Sequence, residues 1–143
     1  EIKRYFKTDF KKIGRTMRVA RYAERIGKLE SGNLAVILSA AYLQDVGGDA
    51  ASAEQNKSAE ARKILEKLGA REKLIDAVCK IVDHTGPPSA EDVNLRVVRD
   101  AERIADLEQR QKADPVPEAS LAVLIEEELT TEAGKAEAKK VLL

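Results

Sequence analysis

Histidine, cysteine and tryptophan are almost missing from this chain of 143 residues. It has one histidine (His84), one cysteine (Cys79) and no tryptophan, and aromatic residues make up 3% of it. A lone cysteine excludes an internal disulfide and any zinc site built from several cysteines. Because apolar residues such as Val78 and Val82 flank Cys79, we expect a buried structural thiol rather than a reactive one.

An excess of charge of either sign is also absent, since 25 Lys and Arg residues balance 25 Asp and Glu residues. This balance gives no electrostatic reason to expect nucleic acid or an acidic membrane as a partner. No apolar run approaches the roughly 20 residues that a membrane span needs, and no signal-peptide pattern is visible. We therefore expect a cytoplasmic protein, monomeric or a small homo-oligomer, with a small-molecule partner.

The pattern that is present is helical. Apolar residues recur at intervals of three and four nearly everywhere, which is the period of an amphipathic α-helix. Alternation of the kind that marks strands is scarce. The length suits one ordinary domain. The sequence therefore predicts an all-α fold: a single domain over residues 1–143, built as a bundle of about seven helices.

Glycine, proline and capping residues interrupt the apolar period and predict the helix boundaries. Gly14 is expected to end the first helix, Ser58 and Thr131 to cap later ones, and Gly69 to end another. The apolar segment 34–45 is expected to be buried on nearly all sides. The full set of expected helices covers residues 2–13, 19–29, 34–45, 58–68, 72–84, 89–113, 118–129 and 132–141.

Three segments carry motif-like patterns in a fixed order. They read RTMRVARYAERI (15–26), AAYLQDVGG (40–48) and VVRDAERIADL (97–107), and the tail reads TTEAGKAEAKK (130–140). As a set they resemble the HD superfamily of metal-dependent phosphohydrolases, and the tail resembles the closing Thr-Glu-x-Gly-Arg helix of bacterial members. The resemblance covers residues 13–140 and implies an HD-domain-like helical bundle.

The resemblance also implies a chemistry. In that family two histidines and two aspartates from three helices converge on one divalent metal. Such a ligand set suits manganese, iron, cobalt, zinc or nickel. The metal activates a bound water for attack on the phosphorus of a phosphoester, often of a nucleotide.

Both core histidines of the family motif are replaced in this chain. The first histidine position is Arg15, the His-Asp pair is Gln44-Asp45, and the late aspartate is Asp100. A neutral amide is a poor ligand for a transition metal, and a guanidinium has no lone pair and repels a cation. Asp45 and Asp100 remain candidate metal ligands, and Asp45 is also a candidate catalytic residue.

Two roles are open for Arg15. Without a metal, Asp45 and Asp100 would form a costly buried pair of like charges. A guanidinium between them would replace the metal charge and make a structural salt bridge. The alternative is an anion-binding role for Arg15.

Two roles are also open for His84, which lies beside Asp83 and before a Gly-Pro-Pro break. Relatives carry histidines here at the pocket rim, which implies a metal ligand or a general acid or base. The alternative is a helix-terminal histidine that favours the helix dipole. The acidic run 126–128 is expected to be a solvated face.

Two functional hypotheses follow. The first is a non-catalytic HD-fold protein whose pocket is disabled or remodelled, either a natural pseudoenzyme or an engineered scaffold. It requires no cofactor, and a phosphate-containing or other small ligand, or a rebuilt metal site, would fill the vacated space. The second is a residual phosphohydrolase that uses a divalent transition metal with Asp45, Asp100 and His84.

Overall fold

The architecture is known from a computed structural model that describes residues 10–43, 58–84 and 92–143. Over these ranges the chain forms helices and no strands, which confirms the all-α prediction. The helices packed around one core are α1 (Phe10–Leu29), α2 (Leu34–Leu43), α3 (Ala59–Lys67), α4 (Glu72–Asp83), α5 (Val93–Ala113), α6 (Glu118–Glu128) and α7 (Glu132–Leu142).

Helix α1 runs unbroken through Gly14, so the predicted helix end at this residue is wrong. A glycine in a helix interior costs only about 1 kcal/mol relative to alanine. Burial of the α1 side chains outweighs this cost, because Val19, Ala23 and Ile26 are at most 1% exposed. The expected helical segment before residue 10 lies outside the described residues.

The breaks after α1 and α3 are confirmed, and both use a left-handed residue. Ser31 has a φ of 59° and Gly69 a φ of 78°. In each case the amide three residues past the last helical residue bonds back to a carbonyl five residues earlier, Gly32 to Gly27 and Ala70 to Leu65, both at 2.9 Å. This is the Schellman ending of a helix.

Helix α2 packs against α1, α4 and α5. Its contact with α1 is close, because a Cβ on Gly27 would lie 3.0 Å from a methyl carbon of Leu34. Burial on nearly all sides was expected, but it holds for only half of the helix: Ala35 is exposed and Tyr42 is 37% exposed. The three neighbouring helices leave one side of α2 open to solvent. Residues 44 and 45, expected to extend it, lie outside the described ranges.

Two of the expected caps have different outcomes. The Thr131 hydroxyl accepts from the Gly134 amide at 2.9 Å, which confirms Thr131 as the cap of α7. Ser58 precedes α3 but makes no side-chain cap. Its amide and hydroxyl instead donate to the two carboxylate oxygens of Asp83, at 2.9 and 2.7 Å. This pair ties the start of α3 to the end of α4.

The burial predicted for Cys79 is confirmed. Cys79 is 7% exposed, its sulfur lies 3.9 Å from the carbonyl oxygen of Ser58, and burial raises the pKa of its thiol. The solvated face predicted over residues 126–128 is confirmed only in part, because Glu128 is half-buried and its Oε1 lies 3.7 Å from the Arg103 guanidinium. Glu126 and Glu127 are exposed, and Glu126 pairs with Lys139 at 3.0 Å. None of the described helices has the length and apolar character to cross a membrane.

Candidate functional site

Asp100 is the most deeply buried carboxylate described, with 1% of its surface exposed. It lies on α5 and faces the two threonines that precede α7. Its Oδ1 accepts from the amide and hydroxyl of Thr130 at 2.9 and 3.1 Å, and its Oδ2 from those of Thr131 at 2.8 and 2.6 Å. A carboxylate offers about four lone-pair sites. Every one of these sites on Asp100 is therefore filled.

The charge of Asp100 is balanced by backbone and hydroxyl dipoles rather than by a cation. Within the described ranges no lysine or arginine pairs with it. The Thr131 hydroxyl donates to Asp100 while it accepts from the Gly134 amide. The amide, the hydroxyl and the carboxylate therefore form a chain of hydrogen bonds in which each bond polarises the next. The positive end of the α7 dipole also points at the carboxylate.

Gly134 makes this approach possible. A Cβ on Gly134 would overlap Oδ2 of Asp100 and lie 2.6 Å from the Thr131 hydroxyl oxygen. Only glycine leaves room for the first turn of α7 to cover the carboxylate. The sequence carries this signal in the spacing of Thr131 and Gly134, but gives no indication that Asp100 is the partner.

Two further contacts fix the start of α7. Glu30, just past the end of α1, accepts from the Ala133 amide at 3.0 Å. The Arg96 guanidinium donates to the Thr130 carbonyl at 2.6 Å. The start of α7 is therefore held by both α1 and α5.

Arg15 does not bridge to Asp100. Its guanidinium pairs with Asp106 at 2.7 Å, and the Arg15 side chain is 25% exposed. Asp106 lies six residues beyond Asp100, about 9 Å further along α5. The expected salt bridge from Arg15 to Asp100 is therefore wrong, because Asp100 is already fully bonded. Asp45, the other expected partner, lies outside the described residues, as does Gln44.

Arg15 belongs to a polar row on α1 that sequence reasoning missed. Further along the same face, Tyr22 donates to Glu108 at 2.8 Å and Arg18 lies 3.7 Å from the same oxygen. Burial, and then the bond to Glu108, raise the pKa of Tyr22 to about 12. The spacing of Arg15, Arg18 and Tyr22 by three and four residues was the available signal.

His84 is the C-cap residue of α4, so its predicted place at a helix end is confirmed. Its carbonyl accepts from the Arg99 guanidinium at 2.6 Å, and Arg99 also pairs with Glu102 at 3.0 Å. The end of α4 is thus tied to α5 one residue before Asp100. A role of His84 in metal binding or proton transfer stays a prediction.

The fit of the described residues to a metal is poor. Across residues 10–43, 58–84 and 92–143 no three His, Cys, Asp or Glu side chains are grouped so that they could hold an ion. Asp100, the one expected carboxylate ligand that is described, has no free lone pair as it is placed. Asp45 lies outside these ranges and remains a candidate.

A separate cleft of 160 Å³ lies where α5 meets α6, about two turns beyond Asp100. Leu107, Leu121 and Leu124 supply much of its apolar surface. The Gln111 side chain closes one side by bonding both the amide and the carbonyl of Val116, at 3.0 and 3.1 Å. No motif or spacing in the sequence predicts this cleft.

Comparison of the chain with models of known families, with curated proteins and with solved structures found no match. The resemblance to the HD superfamily therefore rests on the sequence motifs.

Proposed function

We propose that this protein is a non-hydrolytic domain of the HD type, in which the ancestral metal-dependent phosphohydrolase site has been disabled and the helical scaffold kept. It would act by binding rather than by hydrolysis. The proposal takes the motif resemblance as its premise. It concerns the core positions Arg15, Gln44, Asp45 and Asp100.

One observation carries the proposal: Arg15, which stands at the first histidine position, is paired with Asp106 at 2.7 Å. A guanidinium keeps its positive charge at all physiological pH values and offers no lone pair. The ion pair with Asp106 also holds the Arg15 guanidinium in place at the contact between α1 and α5. A divalent cation at the ancestral position would lack one ligand, because the guanidinium has no lone pair to donate.

A small ligand is the proposed occupant of the space that the two imidazoles would fill in the family, and a phosphate-bearing one suits the ancestry. Loss of two imidazole ligands from a bundle interior leaves polar space that water or a ligand must fill. Orthophosphate is the simplest probe of this class.

The test is calorimetric titration of the chelator-treated protein with manganese, cobalt, zinc, nickel and orthophosphate. Each titration is repeated on an Arg15→His/Gln44→His double variant, and both proteins are assayed with a generic phosphoester. We expect the unaltered protein to bind no transition metal tightly and to release no phosphate. Tight metal binding together with hydrolysis that disappears in Asp45→Ala would contradict the proposal.

The second candidate function is a residual phosphohydrolase built on Asp45, Asp100 and His84. One contact favours it: the bond from Arg99 to the His84 carbonyl draws the end of α4 towards the part of α5 that carries Asp100. His84→Ala separates the two candidates, since it abolishes activity only if this second site operates.

A further inference from the structure

The cleft between α5 and α6 has an apolar interior. Leu107 and Leu121 line it with 2% of each residue exposed, and Val116 and Leu124 add half-buried apolar surface. Its volume is 160 Å³, and an engineered apolar cavity of about 150 Å³ is large enough to bind benzene. The cleft therefore has room for one small apolar group, such as a branched aliphatic side chain.

Two opposite charges, Arg110 and Asp114, stand at the edge of this cleft. Both residues line it and both are exposed. They are four residues apart at the end of α5, a rise of about 6 Å. Across the described part of the chain, neither side chain forms an ion pair or a hydrogen bond with the other or with a third residue. A guanidinium and a carboxylate are thus available to a ligand whose apolar part enters the cleft.

The connection that borders this cleft is held in one conformation. It reads Asp114-Pro115-Val116-Pro117, and each proline ring fixes its own φ. The Gln111 side chain binds both backbone groups of Val116, at 3.0 and 3.1 Å. A preformed site loses less free energy on binding, because its side chains and loop are already ordered.

We propose that this cleft binds a free apolar amino acid, with its side chain in the apolar interior, its carboxylate at Arg110 and its ammonium group at Asp114. A zwitterion matches both charges at the edge. A monocarboxylate would leave Asp114 unpaired beside a like charge, and an amine would do the same to Arg110. The negative end of the α5 dipole adds to the attraction of an ammonium group at Asp114.

This site goes beyond the proposed function and is independent of it. The cleft lies about two turns from Asp100, and neither the family resemblance nor a metal enters the argument. Metal titration and phosphoester assays test the proposed function alone, and amino-acid binding tests the cleft alone.

The side chain of the ligand should contribute most of the affinity, about fourfold for each buried methylene group. Each exposed ion pair adds no more than about fivefold. We therefore expect weak binding, with a dissociation constant on the order of 1 mM.

The first experiment is an NMR titration of the whole isotope-labelled chain with L-leucine, following the Gln111 side-chain amide and the Val116 backbone amide. Glycine lacks the apolar group, 4-methylpentanoate lacks the ammonium group and 3-methylbutylamine lacks the carboxylate. We expect L-leucine to saturate both signals, glycine to leave them unmoved, and each singly charged analogue to bind about fivefold more weakly. No saturation by L-leucine at about ten times 1 mM, or an analogue that binds as tightly as L-leucine, overturns the inference.

The second experiment assigns the two charges. Arg110→Gln should weaken L-leucine about fivefold and leave 3-methylbutylamine unaffected, because that ligand has no carboxylate. Asp114→Asn should weaken L-leucine and spare 4-methylpentanoate. Lys112→Gln is the matched control, since Lys112 is exposed on the same helix and is not among the residues that line the cleft. An equal loss of L-leucine affinity in Lys112→Gln, or no loss in Arg110→Gln and Asp114→Asn, would show that these charges do not hold the ligand.

Discussion

The backbone of Gly134 lies directly over the carboxylate of Asp100, so closely that a single added carbon would overlap Oδ2. The two residues are 34 positions apart in the sequence, on α7 and α5. Their contact joins a helix start to a buried charge.

Gly134→Ala should destabilise the protein by about 2 kcal/mol or more, although alanine is the better helix former by about 1 kcal/mol. The added methyl group must push the α7 turn away from Asp100 and stretch its hydrogen bonds. Urea unfolding followed by circular dichroism measures the change. In the Asp100→Ala background the same substitution should cost less, since the two Asp100 atoms it meets are gone and only the contact with the Thr131 hydroxyl oxygen remains.

Gly14→Ala is the matched control for a helix-interior glycine. The nearest atom to its Cβ would be a guanidinium nitrogen of Arg18, at 3.7 Å, which is an ordinary contact. We expect it to stabilise the protein by about 1 kcal/mol. Equal effects at Gly14 and Gly134 would show that the close approach to Asp100 is not the cause.

Tyr22 should ionise near pH 12, well above its ordinary value of 10.0. Because the pKa of Tyr22 is raised in the folded state, the unfolded chain loses the phenolic proton at a lower pH than the folded protein does. The stability that protonated Tyr22 contributes is complete below pH 10 and is lost as pH rises from 10 towards 12. The difference in ultraviolet titration between the protein and Tyr22→Phe isolates this group.

Glu108→Gln supplies the control for Tyr22, because the bond to Glu108 is the second cause of the raised pKa after burial. The variant should move the titration of Tyr22 part of the way back towards 10. A Tyr22 that titrates at its ordinary value in the unaltered protein would contradict the buried contact.

Ser31 and Gly69 offer a reciprocal pair of substitutions at left-handed positions. A residue with a Cβ costs roughly 1–2 kcal/mol in this conformation, and glycine avoids the cost. Ser31→Gly should therefore raise the melting temperature and Gly69→Ser should lower it, each by the equivalent of about 1 kcal/mol. Changes of the same sign in both variants would rule out this explanation of the helix ends.

Cys79 should react with a thiol reagent at least about 100-fold more slowly in the native protein than in denaturant, because the reagent must wait for an opening. Burial and the raised pKa of its thiol both slow the reaction. A cysteine placed at exposed position 120, as Ser120→Cys in a Cys79→Ala background, should react at nearly the unfolded rate. Comparable rates for the two thiols would contradict burial of Cys79.

The sequence predicts local features well because their causes are local. The end of α3 at Gly69 and the Thr131 cap need only neighbouring residues. The break expected at Gly14 fails because α1 is stabilised by burial against other helices, which a local pattern does not show.

The site is harder to predict because it depends on which helices pack together and on which residues along each helix face one another. The motifs identify Asp100 and Arg15 as notable positions. They do not show that Thr130 and Thr131 saturate Asp100, or that Arg15 meets Asp106 instead. Those partners are set by the register of α5 against α1 and α7. Arg15 meets Asp106, six residues beyond Asp100, and this shift along α5 decides which carboxylate the guanidinium pairs with.

The contacts that hold α7 reach back along the chain by 30 residues to Asp100 and by 103 to Glu30. A ribosome synthesises α7 after α1 and α5, so both of these helices are complete before their partner exists. Until Thr130 and Thr131 emerge, Asp100 has only water to solvate its charge, and the side of α5 that carries it cannot close. The nascent chain therefore stays open at this seam until α7 is synthesised, and docking of α7 is the folding step that buries the carboxylate.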